Sequence, residues 1–138
     1  MQIKIKRLND AFHMEATNED GISIHMDSSP DVGGQNKGMR PMQLLLSGIG
    51  GCSTIDILDI LKKQRQPVKD IDVNVKATRY EGETPSLFKT IHLEYILHGD
   101  LDESKVKRAI DLSLDKYCSV AKILEKTAEI SYSFQVNP

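Results

Sequence analysis

Apolar residues recur at every second position over three short N-terminal stretches. Ile3 and Ile5 alternate with Lys4 and Lys6, and Phe12, Met14 and Ala16 alternate with His13 and Glu15. Ile22, Ile24 and Met26 follow an Asp20-Gly21 turn signal. Three half-buried strands in succession predict an antiparallel meander. The segment from Ser28 to Arg40, SSPDVGGQNKGMR, breaks the pattern and predicts a loop long enough for a functional or lid-like role. A helical pattern runs from Pro41, suited to a first turn, to Arg65, before the Pro67 stop. Lys62, Lys63 and Arg65 complement the dipole at its end. Two strands are then predicted, one with Ile71, Val73, Val75 and Ala77 on one face, the other with Ile91, Leu93, Tyr95 and Leu97. YEGETPSLFK supplies the turn chemistry between them. Asp102 is a candidate N-cap for a second helix, with Leu101 and Val106 in hydrophobic-staple positions. Val106, Ile110, Ser113 and Tyr117 share one predicted face of it. A short helical segment from Ser119 to Lys126 precedes a last strand that turns Ile130, Tyr132, Phe134 and Val136 inward. The order βββ-α-ββ-α-α-β predicts an α+β fold in a single domain, residues 1–138.

The first helix changes this picture. Leu44, Leu45, Leu46, Ile49, Ile55, Ile57, Leu58, Ile60 and Leu61 make it apolar nearly all round. Such a helix needs cover on more than one side, and a second copy of the chain is the simplest source. Gly48, Gly50 and Gly51 each weaken a helix by about 1 kcal/mol relative to Ala. Their clustering predicts close approach by another backbone or a ligand. Asp56 and Asp59 lie in the same apolar stretch, and a central Asp costs about 2.5–3.5 kcal/mol in a membrane, so no membrane span is expected.

Composition narrows the partners. Eighteen basic against twenty acidic residues give a net charge of −2, which does not suit a nucleic-acid binder. MQIKIKRLND has no apolar run after its charges, so no signal peptide is expected and the reading is cytoplasmic. The glycine-rich GGQNKGMR lacks the ending of a phosphate-binding loop, and no cofactor motif is found. None of His13, His25, His92 and His98 has metal-ligand spacing, so these histidines are expected at the surface or in hydrogen bonds, and no metal is expected.

The chemistry that remains is thiol chemistry. Cys52 follows the glycine cluster on the most apolar helix, and Cys118 stands at the junction of two helical segments. A short helix beginning beside Cys118 would stabilise its thiolate, whereas Asp56, one turn after Cys52, would oppose thiolate formation on a shared face. Spacing alone leaves open which cysteine is the nucleophile.

PMQLLLSGIGGCSTIDILDILKKQRQ, together with YCSVAKILEK, resembles the OsmC/Ohr family of osmotically induced and organic-hydroperoxide-resistance proteins. The likeness extends over nearly the whole chain. It implies an OsmC-like fold: two antiparallel sheet layers wrapping two long central helices in an intertwined homodimer. It also implies thiol-dependent reduction of organic or inorganic hydroperoxides, in the manner of a peroxiredoxin. On that resemblance Cys52 is the peroxidatic thiolate that becomes a sulfenic acid, and Cys118 is the resolving thiol. A dithiol, a protein-bound lipoyl group in some family members, would reduce the disulfide. Arg40, Met42, Gln43 and Ile49 are the candidate pocket residues. Family peroxidases carry a Glu just after the helix-opening Pro and an Arg in the early strands. Here Met42 and Gln43 follow Pro41, and Arg7 and Arg40 are the nearby arginines. The departure predicts turnover below that of family peroxidases. The alternative is a non-peroxidatic OsmC-like protein that binds a small hydrophobic or acyl ligand at the dimer interface.

Overall fold

The computed structural model describes residues 1–138, which form two compact units, Met1–Leu45 and Leu46–Pro138. In the first, β1 (Ile3–Arg7), β2 (Met14–Asn18) and β3 (Ser23–Met26) form the predicted antiparallel meander. The register sets Ile5 opposite Ala16 and Ala16 opposite Ile24, so one face is apolar. Ile3, Ile5 and Ile24 are nevertheless exposed on it.

The loop after β3 is ordered by one carboxylate. Asp27 is buried and accepts hydrogen bonds from the backbone N–H groups of Ser28 (2.7 Å), Gln35 (3.1 Å) and Lys37 (3.1 Å). Burial pushes its pKa up, but the three amides and the charge of His13 outweigh it and hold the carboxyl below its ordinary value. Gly34 closes the loop so tightly that a Cβ there would stand 1.8 Å from the Ser28 carbonyl oxygen. These contacts fold the loop back on to its own start.

Helix α1 (Pro41–Lys63) begins at the predicted proline. It ends two residues earlier than expected because Arg65 takes a left-handed conformation, φ 56°. The Gln66 N–H then reaches back to the Leu61 carbonyl (2.9 Å), closing the helix before Pro67. By length and composition α1 is apolar enough to cross a membrane. In this fold Ile49, Gly50, Ser53, Ile57 and Leu61 form its buried stripe.

In the second unit, β4 (Val68–Arg79) pairs antiparallel with β5 (Phe88–Gly99). Val73 lies opposite Tyr95 and Val75 opposite Leu93, on the face read from the sequence. β6 (Glu129–Val136) pairs with β5 in parallel, so this sheet is mixed and not antiparallel throughout. The chain between β5 and β6 supplies α2 (Glu103–Leu112) and α3 (Ser119–Leu124), a crossover of the kind a parallel return requires. Strand periodicity carries no sign of strand direction, so β6 reads alike either way. Ile130, Tyr132, Phe134 and Val136 sit opposite Ile91, Leu93, Tyr95 and Leu97, completing one apolar face.

Asp102 caps α2, accepting from the Ser104 N–H (2.9 Å). Val106, Ile110 and Ser113 are buried as expected, but Tyr117 is 51% exposed. Residues Ser113–Tyr117 form a wider, π-helical turn closed by the Cys118 N–H on the Ser113 carbonyl (2.7 Å). The wider turn breaks the 3.6-residue repeat and carries Tyr117 off the buried face. Gly50 justifies one of the three helical glycines: a Cβ there would lie 3.1 Å from Val75 Cγ2. Gly48 has only an ordinary contact with Val120, and Gly51 opens on to nothing within 4 Å.

Candidate active site

Ser53 is the polar residue on the buried stripe of α1, and it is satisfied twice. Its hydroxyl donates to the Gly50 carbonyl (3.2 Å) and accepts from the Tyr95 hydroxyl (2.7 Å). Tyr95 is fully buried on β5, and burial pushes its phenol up to about 12. The pair pins α1 to the sheet at the residue beside Cys52. A buried Tyr needs a partner for its hydroxyl, and a Ser on an apolar helix face is a suitable one. Sequence reading placed Tyr95 on a strand face but gave neither residue a role at the site.

Cys52 is half-buried, and Asp56 lies one turn further along the same helix. Cys118 is fully buried as the N-cap of α3, its Sγ accepting from the Ala121 N–H (3.4 Å). The two sulfurs and a carboxylate oxygen of Asp56 lie within 4.8 Å of one another. The Ser113 hydroxyl, in the π-helical turn, points at Asp56 Oδ2 (3.0 Å), with the Ser53 carbonyl at 3.4 Å. Helix α1 thus brings Cys52 and Asp56, and the turn and cap after α2 bring Ser113 and Cys118. The sequence predicted no metal ligands because there is no CxxC pair and no histidine at ligand spacing. The fold supplies Asp56 to both.

Burial sets the electrostatics of Cys118. Burial pushes Cys118 up to about 11; the Ala121 amide opposes this, while Cys52 and the Asp56 charge add to it. The expected help from the start of α3 is present but is outweighed. A consequence follows for stability. An unfolded Cys thiol ionises near 9.0, and the folded one near 11. Between those values the unfolded chain loses a proton that the folded chain keeps, so stability is full below 9.0 and falls as pH rises towards 11. Tyr95 extends the loss towards 12. Denaturant midpoints of the reduced protein measured from about pH 8 to about pH 11 should fall, and Cys118→Ala should flatten the slope.

Of the candidate pocket residues, Ile49 is fully buried and belongs to the core rather than to an accessible pocket. Met42 is half-buried near the helix start. Gln43 is a capping residue, its Oε1 accepting from the Arg40 N–H (2.9 Å). The Arg40 guanidinium is bound to Asn36 Oδ1 and the Gly38 carbonyl (3.1 Å), and that of Arg7 to the Ala11 (2.9 Å) and Asp10 carbonyls. Both candidate cations are therefore held by their own loops. Three of the four histidines are hydrogen-bonded: His13 Nε2 lies 2.7 Å from His25 Nδ1, and His92 lies between Ser131 and Ser133.

Asp56 also lines an open cleft of about 490 Å3. Ile60, Leu112 and Tyr117 give the cleft apolar walls, and Asp59 and Lys63 lie at its charged part. Sequence spacing gave no sign of it, because it forms between α1 and the π-helical turn.

Residues 34–133 match a family model described as OsmC-like protein. Protein YhfA of Escherichia coli (strain K12) is 46% identical over 117 residues, 84% of each chain. The crystal structure of a hypothetical protein from Aquifex aeolicus VF5 is similar with a TM-score of 0.81 at 32% identity, covering 99% of this chain and 97% of that one. An organic hydroperoxide resistance protein OsmC from Legionella pneumophila, described as a predicted redox protein, has the same fold with a TM-score of 0.73 at 17% identity. That alignment covers 99% of this chain and 98% of the other.

Proposed function

The chain belongs to the family of OsmC-like proteins, and from that premise we propose that it is a two-cysteine thiol peroxidase acting on organic hydroperoxides. The observation that carries this reading is the closeness of the chain's only two cysteines, whose sulfurs lie within 4.8 Å. Hydroperoxide resistance in the name of a fold relative supports it.

The half-buried Cys52 is the attacking thiolate, because Cys118 is fully buried and its pKa is raised. The Cys52 sulfur takes the distal oxygen of the hydroperoxide, the O–O bond breaks, and the alkoxide leaves with a proton as an alcohol. The resulting sulfenic acid is attacked by Cys118. A disulfide forms, and water carries away the oxygen and the Cys118 proton. An external dithiol, such as a lipoyl group, returns the two electrons and is itself oxidised to a disulfide. The cytoplasm, kept reducing, suits that cycle.

The preference for an organic hydroperoxide over hydrogen peroxide follows the name of that fold relative. Met42 and Gln43 stand where family peroxidases carry a Glu, and Arg40 and Arg7 are bound within their own loops, so turnover is modest on this reading. Steady-state consumption of cumene hydroperoxide with dihydrolipoamide tests the reading. Turnover dependent on the protein, and faster than with hydrogen peroxide, is expected. Consumption no faster than dihydrolipoamide alone would overturn it.

The protein acts as a homodimer on this reading. Gly51, Ile55 and Leu58 line up at helical spacing on the exposed side of α1, with Ile55 70% exposed. A second chain covering that stripe would form an obligate interface of about 2,000 Å2 or more. Sedimentation at micromolar concentration should give twice the chain mass of 15.5 kDa, and a stable monomer would contradict it.

A further inference from the structure

The three groups at the thiol cluster are also the donors that a thiophilic cation uses. We infer that in the reduced protein Cys52, Asp56 and Cys118 bind one Zn2+ ion, with a water molecule as fourth ligand.

Cys52 and Asp56 are an i, i+4 pair on one helix face, and Cys118 reaches them from the cap of α3. All three ligand atoms lie within 4.8 Å of one another. Tetrahedral zinc with Zn–S bonds of about 2.3 Å separates two sulfurs by about 3.8 Å. The sulfur–sulfur distance therefore needs to close by about 1 Å at most, and each sulfur–oxygen distance by about 1.3 Å at most. Two sulfurs select a soft cation, and three protein ligands leave a position open for water.

Two of the three donors are already oriented by outer hydrogen bonds. Ala121 donates its N–H to the Cys118 sulfur (3.4 Å), and Ser113 donates its hydroxyl to Asp56 Oδ2 (3.0 Å). Such outer contacts fix ligand geometry in metal sites. The Asp56 charge, which opposes a bare thiolate, favours a cation between the same groups.

The balance is simple. Hydrated Zn2+ exchanges water for two sulfurs and one carboxylate oxygen, both thiols give their protons to solvent, and no electrons move. Both thiols lose their protons on binding, so binding tightens as pH rises. Zinc and the disulfide exclude each other, because each uses both sulfurs.

This site needs the two thiols reduced and together but does not depend on peroxide chemistry. Reduced protein stripped of metal is titrated with ZnCl2 against a chromophoric chelator, and separately with Co2+. One Zn2+ per chain is expected, with Asp56→Asn weakening affinity about 10-fold or more and Cys118→Ser at least as much. Co2+ should give sulfur-to-cobalt charge-transfer absorption in the wild type, a readout that needs no variant to fold. Failure of Zn2+ to saturate, absence of that absorption, or equal affinity in folded Asp56→Asn would overturn the site. Peroxide oxidation is assayed in the presence of EDTA, so either reading can fail without the other.

Discussion

Cys52→Ser is expected to abolish hydroperoxide consumption, whereas Cys118→Ser is expected to consume one equivalent and then stop. The two serine variants differ in effect because the two sulfurs differ in setting. Cys52 is half-buried beside the residue that pins α1 to the sheet, and Cys118 is sealed as the cap of α3. Without Cys52 nothing attacks the O–O bond. Without Cys118 the bond is still cleaved, but the sulfenic acid has no thiol partner within the chain, since there is no third cysteine. A dimedone adduct on Cys52 in the Cys118→Ser protein would reveal the trapped species. Equal activity in the two variants would contradict the division of labour.

Tyr95→Ala is expected to be the most damaging single substitution in the second unit. Truncating a fully buried aromatic to Ala costs about 3–5 kcal/mol. The same change removes the donor to Ser53, one residue from the proposed nucleophile. Tyr95→Phe separates the two effects. It keeps the ring packed between Val73 on β4 and Phe134 on β6, and it loses the hydroxyl, costing about 1 kcal/mol. Ser53 still donates to Gly50, so no buried hydroxyl proton is stranded. Urea unfolding should therefore rank wild type, Phe and Ala in that order, with the larger step between Phe and Ala. Equal costs for Phe and Ala would mean that the hydrogen bond, and not the packing, holds α1 in place.

The alternating apolar residues of β4 and β5 were legible because each strand keeps one face buried, and a period of two survives any tertiary arrangement that does so. The apolar α1 was legible by the same reasoning, as was the Asp102 cap. The direction of β6 was not, because a strand with Ile130, Tyr132, Phe134 and Val136 on one face reads the same in either direction. Tyr117 was misplaced because the π-helical turn is a local change of repeat that no side-chain pattern announces. At the site, the two cysteines stood out as the chain's only thiols. Asp56 was visible as a neighbour of Cys52, but its hydrogen bond from Ser113 joins residues far apart in sequence. The Ser53–Tyr95 pair is equally long-range. Gln43, a candidate pocket residue, accepts from the Arg40 N–H; a Gln at that spacing is half of a capping box, without the Ser or Thr that completes it.

The most direct test of the central claim is a thiol count and peptide map after a single equivalent of cumene hydroperoxide, in EDTA and without reductant. The account predicts that both thiols disappear together, with the loss of two hydrogens and a Cys52–Cys118 cross-link within one chain. Two free thiols persisting after that equivalent, in folded protein, would contradict it.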